Sequence, residues 1–113
     1  MLLDDARALA DKLKASEEYK TYRESKERAY AQPSTAALLY EFYSLRMKAQ
    51  AASVAGTPDA EITEKLQKLG ELLQFDAAAA DYLMAEFRLN ALLGDIYKIL
   101  AEAVGLDLGA LEA

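Results

Sequence analysis

The chain has 113 residues, enough for one domain with a modest core. It contains no Cys and no His, which excludes disulfides, thiolate metal sites and imidazole acid–base chemistry. Its net charge of −6 argues against a grip on nucleic acid, which needs a basic face to release counterions from phosphates.

The opening Met1-Leu2-Leu3-Asp4-Asp5 places two acids after only two leucines, a pattern wrong for a secretory signal. No apolar run approaches the roughly 18 residues of a membrane span. The expectation is a cytoplasmic protein. Helix formers dominate, and β-branched residues are few and scattered, so the predicted class is all-α. About five helices should form an antiparallel bundle with a long C-terminal helix, as a single helical domain over residues 1–113.

A first helix is predicted over about 3–14. Leu2, Ala6, Leu9 and Leu13 recur at three- and four-residue steps and form one apolar stripe. Asp4 and Asp5 suit the first turn, where the helix dipole favours anions. Ser16 reads as the N-cap of a second helix that runs to about Ala31. Tyr19, Tyr22, Ala29 and Tyr30 mark its buried side, with the stem of Lys26 between them. Lys20, Arg23, Glu24 and Glu27 form a solvated face with i,i+4 pairs.

Gln32-Pro33-Ser34 punctuates, and Pro is tolerated in a first helical turn. The third helix spans about 34–54. Thr35, Leu38, Phe42, Leu45, Ala49 and Ala52 make its stripe, which Leu39, Tyr43 and Met47 widen. Gly56-Thr57-Pro58-Asp59 combines a glycine helix stop with a Thr or Asp start signal. The fourth helix, about 59–74, carries Ile62, Leu66, Leu69 and Leu73 in heptad-like spacing.

Asp76 is predicted to cap the last helix, about 77–104, and Gly105 to stop it. That helix is apolar on more than one side. Tyr82, Leu83, Phe87, Leu93, Ile96, Tyr97 and Leu100 make one broad side, which Leu89, Leu92, Ile99 and Val104 extend. Such a helix has neighbours on several sides. Either the other helices wrap it, or its surplus apolar surface is an oligomer interface; both can hold. The tail Leu106-Asp107-Leu108-Gly109-Ala110-Leu111 either docks back on the bundle or is loosely ordered.

Charge is unevenly spread. Residues 1–30 hold seven acids and seven bases, whereas residues 57–113 hold eleven acids and four bases. The only basic cluster is Lys12, Lys14, Lys20, Arg23, Lys26 and Arg28, with acids interleaved. These six residues carry the alternative reading, direct RNA binding.

No catalytic constellation is legible. Ser16, Ser25, Ser34, Ser44 and Ser53 lack a His or Cys partner; capping or simple exposure accounts for each. Carboxylates are the only candidate metal ligands, and few fall on predicted core faces, so no metal or cofactor is expected. Glu86 and Asn90 stand i,i+4 within an apolar region. They face a groove or water, or they fix register across a helix interface. Gly70 and Gly94 sit inside helices, which suggests close helix approach or a kink. Among seven tyrosines, Tyr40 and Tyr43 suit a patch for a partner. Leu83, Phe87, Leu93, Ile96 and Leu100 are expected in core or interface, without a basis in sequence for separating the two.

The order of segments resembles the YlbF/YmcA family of small bacterial helical regulators. The stretch from Ala6 to Tyr19 matches an opening A-x-x-L-A-x-x-I/L-K-x-S-x-E-Y. Leu39-Tyr40-Glu41-Phe42 matches L-x-E-F, and Tyr82 to Leu89 matches Y-x-x-A-E-x-x-L. The Gly105-Leu106-Asp107-Leu108 end is also similar. The resemblance implies a homo-oligomer, dimer or higher, that also associates with sister proteins and with a YaaT-like protein. It implies an adaptor role in competence, sporulation, biofilm formation and RNA maturation by a membrane-bound endoribonuclease. Some members of that complex hold iron–sulfur clusters through cysteines. This chain has none, so that function does not carry over. Where the family often has Asn-Pro before the last helix, this chain has Phe75-Asp76-Ala77, and Asp76 can still cap.

Overall fold

A computed structural model describes residues 1–105. The protein is all-α, with helices α1 (Leu2–Lys14), α2 (Glu17–Tyr30), α3 (Pro33–Val54), α4 (Ala60–Gln74) and α5 (Ala77–Val104). The predicted tail 106–111 lies outside the described residues. No helix among those residues is long and apolar enough to cross a membrane.

The boundaries follow local chemistry. Ser16 Oγ accepts the Tyr19 N–H at 3.2 Å and starts α2. At the end of α3, Gly56 adopts φ 76°. The Gly56 N–H then reaches the Ser53 carbonyl at 3.1 Å and the Thr57 N–H reaches that of Ala52 at 2.9 Å, the paired bonds of a Schellman stop. The start signal for α4 is Asp59, whose Oδ1 accepts the N–H groups of Glu61 at 2.9 Å and Ile62 at 3.3 Å. Gly105, at φ 74°, follows α5.

Contacts cluster into two compact units. One comprises Arg23–Leu83, that is, the end of α2, α3, α4 and the start of α5. Helices α3 and α4 pack side by side as an antiparallel hairpin. Ala29, Leu39, Leu73, Thr35 and Ala79 are fully enclosed, with Ser25, Leu69 and Tyr82 nearly so. Ile62, Leu66, Phe42, Leu45, Ala49 and Ala52 are half-buried, so the predicted stripes of α3 and α4 are the ones that pack. Gly70 faces Phe42, whose ring carbon Cε2 would stand 3.8 Å from an added Cβ; this is the close approach expected there.

The other unit comprises Met1–Tyr22 with the described residues from Met84 on. Here Ala85 and Ala101 are buried, and Leu13, Tyr19, Tyr22, Leu89, Leu92 and Ile96 are half-buried. The stripe of α1 stays largely outside: Leu2 and Leu3 are exposed, and Leu9 only partly less so.

Four expectations need correction. Ser25, not the stem of Lys26, takes the inner position on α2, because Tyr22, Ser25 and Ala29 fall on one side at i, i+3 and i+7. Ser25 is therefore buried rather than capping or exposed, and its Oγ accepts from Arg28 Nη2 at 3.4 Å. Met47 does not widen the buried stripe of α3; it is exposed. Among the described residues, Lys20, Arg23, Glu24 and Glu27 form no ion pairs. The observed pairs lie elsewhere, as Lys65–Glu61 at 3.3 Å and Lys68–Glu64 at 3.1 Å on α4, and Lys98–Glu102 at 3.9 Å on α5. Gly94 meets nothing within 4 Å, so no close approach explains it.

Candidate protein-contact surface

Thr35, in the first turns of α3, is fixed by a residue 41 positions away. Its hydroxyl donates to Asp76 Oδ2. Asp76 Oδ1 accepts the Ala79 N–H at 3.2 Å and caps α5. One carboxylate thus starts α5 and ties that start to α3. The Thr35 hydroxyl and the Ala79 and Ala78 N–H groups hold the Asp76 carboxyl below its ordinary value, against an opposing effect of burial.

The same compact unit holds a ring cluster. Tyr82 is almost enclosed. It meets Tyr30 edge-to-face at 5.7 Å and Tyr43 at 6.3 Å. Tyr30 in turn meets Tyr40 at 5.4 Å, and Phe42 meets Tyr43 at 5.7 Å. The Arg46 guanidinium lies 4.5 Å from the Tyr43 ring centre and 5.6 Å from that of Phe42, within cation–π range. The structure thus brings Tyr40 and Tyr43 into one cluster. Tyr40 remains 67% exposed, while Tyr43 is half-buried.

The residues singled out on α5 divide. Leu83 and Ile96 are half-buried. Phe87 is 69% exposed, Leu93 41% and Leu100 56%. Met84, Tyr97, Ile99 and Val104 are exposed as well. The line through Ala79 and Tyr82 is buried at the start of α5; its continuation through Leu93, Tyr97, Leu100 and Val104 is not. Asn90 is exposed on that line and Glu86 half-buried.

The outer side of α3, where Met47 and Val54 are exposed, escaped the sequence reading, as did the exposed Phe75 at the end of α4. The readable signal for α3 was apolar residues on both of its sides. Lys12, Lys14, Lys20, Arg23, Lys26 and Arg28 are all exposed on α1 and α2.

A hollow of about 200 Å³ is lined by Glu17, Glu18, Thr21, Ala85 and Arg88, without a nucleophile–base pair. Among the described residues, no three acidic, His or Cys side chains converge to hold a metal ion.

The fold and its surface define a small all-helical protein whose distinguishing features are exposed apolar helix faces. The family described as control of competence regulator ComK, YlbF/YmcA, matches residues 2–105, and the chain belongs to it. A UPF0342 protein of Symbiobacterium thermophilum is 39% identical over 108 residues, covering 95% of this chain and 96% of that protein. A UPF0342 protein of Halothermothrix orenii is 34% identical over 112 residues, covering 98% and 93%. Among solved structures, Bacillus subtilis RicA, crystallised in complex with RicF, has a similar fold. The TM-score is 0.63 at 21% identity, over 92% of this chain and 93% of that one.

Proposed function

We propose that this protein is a non-enzymatic, cytoplasmic regulatory adaptor that works by protein–protein contact, joining a second copy of itself or a sister chain through α5. The observation that carries this reading is the α5 surface, where Leu93, Tyr97, Leu100 and Val104 follow one line at three- and four-residue steps and are all exposed, with Phe87 exposed on another side of the helix. Contiguous apolar surface of this kind marks interaction sites. Family membership supports a regulatory role, and the complex of RicA with RicF supports a protein partner. A YaaT-like protein is the further partner that the family resemblance implies. Competence, sporulation, biofilm formation and RNA maturation are the processes in which the adaptor would act.

The test is mass. Light scattering at micromolar concentration should give at least a dimer, and Phe87→Asp with Leu100→Asp should return a monomer of unchanged helicity. A parent protein that is already monomeric, with no sister chain recovered from native cytosol, would remove the reading.

A further inference from the structure

Helix α1 is amphipathic, yet none of its residues is buried. Its stripe is Leu2, Ala6, Leu9 and Leu13, at steps of four, three and four residues, the register of a helix-pairing seam. The seam is about 16 Å long at 1.5 Å per residue. Along it Leu2 is 81% and Leu9 39% exposed, Ala6 is exposed, and Leu13 alone is half-buried. A helix this short is marginal in water and depends on packing its apolar face. Its own compact unit offers little for that purpose. Among the described residues of Met1–Tyr22 and from Met84 on, only Ala85 and Ala101 are buried.

The charges of α1 identify the occupant. The helix carries three acids, Asp4, Asp5 and Asp11, and three bases, Arg7, Lys12 and Lys14. Helical geometry puts Asp4 and Asp11 opposite the stripe, and Arg7 and Lys14 far round it, beyond Leu3 and Ala10. Asp4 already holds the Met1 amino group at 3.0 Å and Arg7 at 2.9 Å. Only Asp5 and Lys12 flank the stripe, both on the same side. Both are exposed, and neither makes an ion pair among the described residues. An identical helix laid antiparallel, with Leu2 level with Leu13 and Ala6 level with Leu9, brings Asp5 of each copy toward Lys12 of the other. Two-fold symmetry forms that pair twice. A parallel copy would instead set Asp5 level with Asp5 and Lys12 level with Lys12. The exposed line of α5 has Gly94, Ile96, Ala101 and Ala103 on its flanks, so it would leave both charges unmatched. With acids and bases equal in number, α1 also lacks the basic excess that draws a helix to anionic lipid. We propose that, in the dimer joined through α5, α1 packs antiparallel against α1 of the second copy, with Asp5 beside Lys12 at both ends of the seam. This rests on the self-association proposed above. A seam of this length adds to the α5 contact and does not replace it.

The experiment uses the full chain. Analytical ultracentrifugation at low salt gives the dimer Kd of the parent, of Asp5→Lys, of Lys12→Asp and of the double exchange. Each single reversal turns two attractive contacts into repulsive ones and should weaken the dimer about tenfold. The double exchange restores both pairs in reverse and should return the Kd to within about twofold of the parent. Mixed in equal amounts, the two single variants should form the heterodimer in preference to either homodimer. Leu9→Asp should weaken the dimer about tenfold or more with helicity unchanged. A monomeric parent would remove the α5 reading and this inference together. A dimeric parent whose single reversals keep its Kd, or whose double exchange fails to recover, overturns the inference alone and leaves the α5 reading standing. So does a Leu9→Asp variant that dimerises like the parent. If that variant also loses binding to phosphatidylserine vesicles, the occupant is a lipid surface; if it loses a partner recovered from native cytosol, the occupant is an unlike chain.

Discussion

Replacing Asp76 by Ala removes two interactions held by one carboxylate. The α5 cap bond from the Ala79 N–H is lost, at a cost of about 1 kcal/mol. The Thr35 hydroxyl, fully buried, loses its main acceptor, and a buried polar group left unsatisfied costs about 1–3 kcal/mol. Gln32 Oε1, at 3.4 Å from that hydroxyl, would recover part of the second loss. A total of about 2–4 kcal/mol follows, a large share of a typical stability of about 5–15 kcal/mol. Urea unfolding followed by circular dichroism measures it. The two contributions separate in a cycle with Thr35→Val. Without the hydroxyl, Asp76→Ala should cost only the cap, about 1 kcal/mol. The carboxyl also titrates below its ordinary value, held there chiefly by the Thr35 hydroxyl and by the Ala79 and Ala78 N–H groups. Its stabilisation is therefore complete above the unfolded value of about 3.9. It fades as pH falls through the lower folded value, so parent and variant should converge in acid. Equal costs of Asp76→Ala with and without the Thr35 hydroxyl, or a parent–variant gap that persists in strong acid, would refute this account of the junction.

Two further substitutions test the packing. Leu39→Ala empties a fully enclosed position and should cost about 2–5 kcal/mol in the same unfolding assay. Gly94→Ala should raise stability by about 1 kcal/mol, read as a higher thermal midpoint, because a Cβ there meets nothing within 4 Å and helical glycine is costly relative to Ala.

Helix ends were legible because their chemistry is local. Ser16, Gly56, Asp59 and Asp76 each act within a few residues of their own position. The stripes of α3 and α4 were legible because both sides of that hairpin bring apolar residues to one line. The Asp76–Thr35 tie was not, since a partner 41 residues away leaves no periodic trace. Ser25 was misread because the aliphatic stem of the neighbouring Lys26 offers more apolar area than a small hydroxyl, whereas helical geometry puts Ser25 in line with Tyr22 and Ala29. Met47 was misread for the converse reason. An apolar residue at helical spacing looks the same whether it meets its own chain or another, and only burial distinguishes the two.

On α5 the line through Ala79 and Tyr82 is buried, whereas Leu93, Tyr97 and Leu100 further along it, beyond Glu86 and Asn90, are exposed, so one periodicity is covered at one end of the helix and open at the other. On α3 the enclosed Leu39 and the exposed Met47 and Val54 share one helix. From Asn90 to Gly105 the only charged residues are Asp95, Lys98 and Glu102, and Lys98 is paired with Glu102. Two copies can therefore approach there without strong like-charge repulsion.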